Sequence, residues 1–187
     1  ALTYTNYLYV QLITNFIQDM IGEKTDIVAT GDSSSFAVMA ANMEPDLFGK
    51  VILINPQKIE DSAKAPRKNK NILKLIMETP IIGTFIYNMS MNELRIHRLF
   101  AEKYFNKKQL ISTKLEDTYF ESGHIGEGTG RFLFASIATN YTNIDIATAL
   151  KNKNLSLCII SSRERPNCVS IIDNYLDFNH DIETTYI

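Results

Sequence analysis

The sequence predicts an α/β fold: a mostly parallel sheet with helices on both faces, and a helical insertion set into it. Two observations carry this. Short apolar runs alternate with amphipathic stretches, strand then helix, in two separate parts of the chain. Between those parts the character changes. Six basic and two acidic residues lie from Lys58 to Lys74, and an amphipathic helical region rich in Met and aromatics follows to about residue 118. The chain is therefore divided into a core of residues 1–57 and 119–187 and a helical cap of residues 58–118.

Each element has its own signal. Residues 6–21 place Leu8, Leu12, Phe16 and Met20 on one helical face, with Ile13 and Ile17 beside them, and Gly22 as a stop. Asp26 to Thr30 is a short apolar run bounded by polar residues, as a buried strand is. Gly31 to Ser35 is a turn of small residues, and Phe36 to Met43 is a helix rich in Ala, ended by Pro45. Lys50 to Asn55 contains Val-Ile-Leu-Ile, a second buried strand. In the second core segment, residues 129–140 form a helix with Phe132, Leu133, Phe134 and Ile137 on its apolar side. Leu155 to Ile160 is a strand, Ser170 to Phe178 a helix, and Ile182 to Ile187 a fourth strand.

Composition narrows the function classes. The 187 residues are 45% hydrophobic and 21% charged, with a formal net charge of -2. That balance favours neither nucleic acid nor an anionic membrane. The basic stretch from Lys64 to Lys74 lacks interleaved aromatics for base stacking, so it reads as a solvated linker. No apolar run approaches the ~18 residues of a membrane span, and Ala1-Leu2-Thr3 shows no basic leader. Two cysteines, Cys158 and Cys168, are too few for a disulfide scaffold and point to a reducing cytoplasm. No Cys/His cluster has metal-ligand spacing, and no cofactor is implied. Gly126-Glu127-Gly128-Thr129-Gly130 precedes a helix but follows no strand, which argues against a dinucleotide site.

The sharpest motif is Gly31-Asp32-Ser33-Ser34-Ser35, set between a strand and a helix. A nucleophile elbow needs that context, with small residues two before and two after the nucleophile. Gly31 and Ser35 are small, and Ser33 takes the centre. The Ser34 backbone N–H, at a helix N-terminus, would face the same space and could hold an oxyanion. Asp32 as nucleophile is the minor alternative, and a polar loop capping a helix is the plain structural one. Through Asp26–Asn55, and more loosely through the cap and the strand near residue 160, the chain resembles the α/β-hydrolases with a helical cap. It departs from their pattern at Ser35, where they usually carry Gly.

That resemblance implies a serine hydrolase of an ester or other small acyl substrate, working through an acyl-enzyme at Ser33. It also implies a chain order of Ser, acid, His. Relatives carry a Gly-x-x-Asp turn after the penultimate core strand. On that match Glu164, in Ser161-Ser162-Arg163-Glu164-Arg165-Pro166, holds the acid position. The alternative for Glu164 is a surface carboxylate paired with Arg163 or Arg165. Of His97, His124 and His180, none fits the base; His124 is the best spare. The base is expected in a loop beyond Ile187, and sequence is expected to be missing at both ends. A sheet cut this way would show an unpaired edge and a bare face, which a second chain could also cover. The rival functions are a non-catalytic scaffold that keeps the elbow shape and, less well supported by a single glycine, a nucleotide-binding domain.

Overall fold

The computed structural model describes residues 3–66, 68–105, 107–126 and 128–187, and at Lys68 and Lys103 the backbone alone. In chain order it contains α1 (Asn6–Phe16), continued by a π-helical turn at Ile17–Ile21, β1 (Thr25–Thr30), α2 (Ser33–Met43), β2 (Phe48–Ile54), α3 (Ile59–Ser62), α4 (Lys68–Glu78), α5 (Ile82–Ser90), α6 (Glu93–Leu99), α7 (Thr113–His124), α8 (Gly130–Ala138), α9 (Ala147–Leu150), β3 (Ser156–Ser161), α10 (Cys168–Phe178) and β4 (Glu183–Tyr186). They divide into two compact units, Thr5–Ala65 with Asn140–Ile187, and Pro66–Thr139 with the residues up to Tyr4.

The first unit is built on one parallel sheet of order β1-β2-β3-β4. Thr30 lies beside Ile54 and Ile54 beside Ile160, so the C-terminal strand ends are level. The three strands expected at 26–30, 51–54 and 155–160 are thus adjacent and parallel. Buried side chains come from alternate positions, as the period of two requires. Ala29, Val51, Leu53, Leu157 and Ile159 form one core with Val10 and Ile17 of the first helix, Ala37, Val38 and Ala41 of α2, and Ile172 and Tyr175 of α10. The intervening positions Ile52, Ile54, Cys158 and Ile160 form the other face and are only half-buried, while Val28 is 59% exposed. β1 pairs with β2 along one side and ends the sheet on the other.

The first helix starts and stops where its sequence directs. Thr5 caps it by accepting from the Leu8 N–H (3.3 Å), and Gly22 ends it in the left-handed region at φ 73°. Only part of the expected face is buried, with Ile17 inside and Ile13 packed against the core. Val10, Thr14 and Ile17 turn inward, whereas Leu12, Phe16 and Met20 are 54%, 59% and 73% exposed. These exposed side chains, with Ile21 and Ile27, line an apolar cleft beside the outer edge of β1. The stripe containing Thr14 wins because its hydroxyl is satisfied inside the helix, by Val10 O and Gln11 O, so it is buried at little cost.

The second unit is helical. α8 packs on α4 and α5, so the helix assigned from sequence to the core at 129–140 lies in this unit, which runs to Thr139. Gly83 allows α5 to start against the end of α4, where a Cβ would collide with the Met77 backbone. Tyr87 donates to Gly123 O, and its ring meets Phe134 edge-on. Two cations of the basic stretch are paired locally, Lys64 with Asp61 and Lys74 with Glu78; Arg67 and the Lys68 side chain lie outside the described residues.

Candidate active site

The turn after β1 carries the strongest sequence signal. The ladder runs one residue past the strand, with Gly31 N–H donating to Ile54 O (3.0 Å). Gly31 then takes φ 55°, the turn's left-handed residue. A Cβ there would meet nothing within 4 Å, so backbone conformation and not space selects glycine. Asp32 has right-handed angles and precedes α2, which begins at Ser33, three residues earlier than the sequence predicts. Ser34 and Ser35 are buried at 0% and 2% exposure, which explains the run of small residues: larger side chains would not fit beneath the turn.

Ser33 is exposed at the C-terminal end of β1, as expected of a nucleophile. Three details differ from the expected elbow. The crest of the turn is Gly31 and not Ser33. The Ser33 hydroxyl is held by the strand it follows, donating to Thr30 O (2.8 Å) and accepting from Thr30 N–H (3.1 Å). The Ser34 N–H, expected to face an oxyanion, donates to Gly31 O at 3.2 Å. No side chain caps the start of α2, and the Ser33 hydroxyl turns back to the end of β1 instead.

Glu164 follows β3 at the same edge. Strand register places the two turns on either side of the β2 end, two strand spacings or about 10 Å apart. Glu164 is exposed, and its N–H donates to Ser162 Oγ (3.4 Å). Beside it, the Arg163 guanidinium lies 5.9 Å from the Tyr186 ring centre, and Arg165 donates to Pro56 O (2.7 Å). The structure therefore brings Ser33 and Glu164 to one sheet edge.

His180 lies in the turn before β4, at the opposite, N-terminal edge. In the helical unit, His97 Nδ1 pairs with Glu116 (2.6 Å) and His124 Nδ1 with Phe120 O (2.8 Å). Among the described residues no cluster of His, Cys, Asp or Glu could hold a metal ion, and no helix is long and apolar enough to cross a membrane. The glycine-rich loop at 126–130 joins α7 to α8, helix to helix; its Glu127 lies outside the described residues.

Sequence reasoning missed the groups between the two turns. Asn55, at φ 48°, accepts from Ser161 Oγ (3.2 Å) and Ser162 N–H (3.0 Å). Gln57 Nε2 donates to Ser35 Oγ (3.2 Å). Tyr175 is fully buried and its hydroxyl donates to Gln57 O (3.1 Å). Burial holds the Tyr175 phenol well above its ordinary value of 10.0, with Arg165 offsetting part of the effect. A folded pKa raised above the unfolded one contributes stability that is intact below pH 10 and is lost as pH rises above it. Stability is therefore expected to fall above about pH 10, and Tyr175→Phe should weaken that fall in urea unfolding measured between neutral and alkaline pH.

No model of a known protein family matches this sequence, and no curated protein matches it. Solved structures do. A carboxylesterase of the thaumarchaeon Nitrososphaera gargenis is similar with TM-score 0.63 at 12% identity, over 99% of this chain and 64% of that one. The meta-cleavage product hydrolase of Pseudomonas fluorescens gives TM-score 0.63 at 14% identity, over 99% of this chain and 63% of that one. MenH of S. aureus gives TM-score 0.65 at 8% identity, over 100% of this chain and 67% of that one. This chain thus has the α/β-hydrolase fold, and it spans about 64% of the length of the carboxylesterase.

Proposed function

From the α/β-hydrolase fold of this chain we propose that the complete protein is a serine hydrolase of an ester or another small acyl substrate. The observation that carries this reading is the placement of Ser33, exposed at the C-terminal sheet edge on a strand–turn–helix, with Glu164 at that same edge. Ser33 Oγ attacks the acyl carbonyl, its proton passes to an imidazole base, and water then cleaves the acyl-enzyme. The base comes from the third of the fold outside these residues; within the unit that holds Ser33 and Glu164, His180 is at the opposite sheet edge. Glu164 orients that imidazole and stabilises it once protonated. The base must draw the Ser33 hydroxyl from Thr30 O, and the Ser34 N–H must turn from Gly31 O to the oxyanion. We assign Pro66–Thr139 as the cap. A cytoplasmic location belongs to the same reading, on the two free cysteines.

A second reading has its own support. The hydroxyl tied to both backbone atoms of Thr30, below a glycine crest, suits a scaffold that keeps the elbow shape without the chemistry. Glu164→Gln separates the two. In the complete protein it is expected to lower kcat for a short activated ester by ~100-fold or more, as loss of the orienting carboxylate does in a triad. A complete protein that never hydrolyses such esters favours the scaffold.

A further inference from the structure

Between the two turns of the proposed site, at the end of β2, lies Asn55-Pro56-Gln57. Every one of these residues receives or makes a bond across the sheet edge. Asn55 Oδ1 accepts from Ser161 Oγ and Ser162 N–H, and Asn55 N–H donates to Ile160 O (2.8 Å). Pro56 O accepts from Arg165, and Gln57 O from the buried Tyr175. On the other side Gln57 Nε2 donates to Ser35 Oγ, whose hydroxyl is fixed in turn to Asp32 O (2.9 Å). One short segment thus fastens the turn that bears Glu164 to the first turn of the helix that bears Ser33.

Asn55 is the costly member. It holds φ 48°, a left-handed angle that Asn tolerates better than most residues but still at a cost. That angle is retained where the side chain lies half-buried and accepts two bonds from the start of the acid turn. We propose that Asn55 is a positioning residue, which sets the Glu164 turn relative to Ser33 through Ser161 and Ser162. The proposal rests on the serine-hydrolase reading above.

Two substitutions separate side chain from backbone. Asn55→Gly keeps the left-handed angle without strain and deletes the acceptor. Asn55→Asp keeps the angle and the acceptor. In the complete protein, Asn55→Gly is expected to lower kcat ~10- to 100-fold, the cost of a misplaced catalytic group, with KM changed less than about twofold. Asn55→Asp should restore kcat to within about threefold of the parent. Amide exchange at Ser162 should quicken ~fivefold in Asn55→Gly and not in Asn55→Asp, since only the former loses the bond. If Asn55→Gly does not fold, Arg165→Met, which releases Pro56 O, is read by the same two measurements. Faster exchange with unchanged kcat overturns the positioning role, and unchanged exchange overturns the clamp itself. If Ser33→Ala leaves turnover intact, the hydrolase reading fails and the positioning role with it, and the exchange data then report a purely structural tie.

Discussion

Replacing Ser33 with alanine in the complete protein is expected to lower kcat for a short activated ester by ~10,000-fold or more, with little change in fold. Removing the nucleophile of a triad leaves only binding and oxyanion stabilisation. The fold should tolerate the change because Ser33 is exposed and its hydroxyl bonds only to the neighbouring Thr30 backbone. Losing those exposed bonds to the Thr30 backbone costs about 1 kcal/mol. The same reasoning predicts that these 187 residues alone leave esters unchanged. A serine hydroxyl without a base is a weak nucleophile at neutral pH, and absence of one oxyanion donor costs a further ~3 kcal/mol. Turnover by the isolated chain that Ser33→Ala eliminates would place a base within it, with His124 the first to test.

The largest stability effect is expected at Leu53. It stands in β2, between β1 and β3, with no exposed surface. Its neighbours across the ladders are Ala29 and Ile159, also in the core. Leu53→Ala removes buried methyl groups and leaves a cavity that the paired backbone cannot close, at a cost of about 3–5 kcal/mol. Leu53→Met keeps the volume and should cost less than about 1.5 kcal/mol. Guanidinium unfolding followed by far-UV circular dichroism checks both. Equal midpoints for the two variants would mean that β2 does not hold the core as described.

The parallel sheet was legible because its signal is local and redundant. Val51-Ile52-Leu53-Ile54 is apolar at every position, as a strand between two others tends to be, and short polar boundaries mark each end. The first helix was legible in extent but not in orientation. It carries apolar residues on more than one side, and the choice between the Leu12–Phe16–Met20 stripe and the Val10–Thr14–Ile17 stripe is made by what it packs against. The start of α2 was misread because serines favour turns and caps over helix interiors, yet Ser34 and Ser35 are drawn under the turn by burial. At the proposed site, Ser33 is singled out by its place in a strand–turn–helix and Glu164 by the resemblance to the capped α/β-hydrolases. Asn55 is not singled out, because its partners lie about a hundred residues away and meet it only once β2 and β3 have paired.

Reaction of the complete protein with a fluorophosphonate probe, followed by mapping of the labelled residue, tests the central claim most directly. An activated serine is phosphonylated at its Oγ, whereas a serine held only by backbone bonds is not. The account predicts a single label on Ser33, lost in Ser33→Ala. Label on another residue, or an unlabelled Ser33 in folded complete protein, would contradict it and leave the elbow as a scaffold.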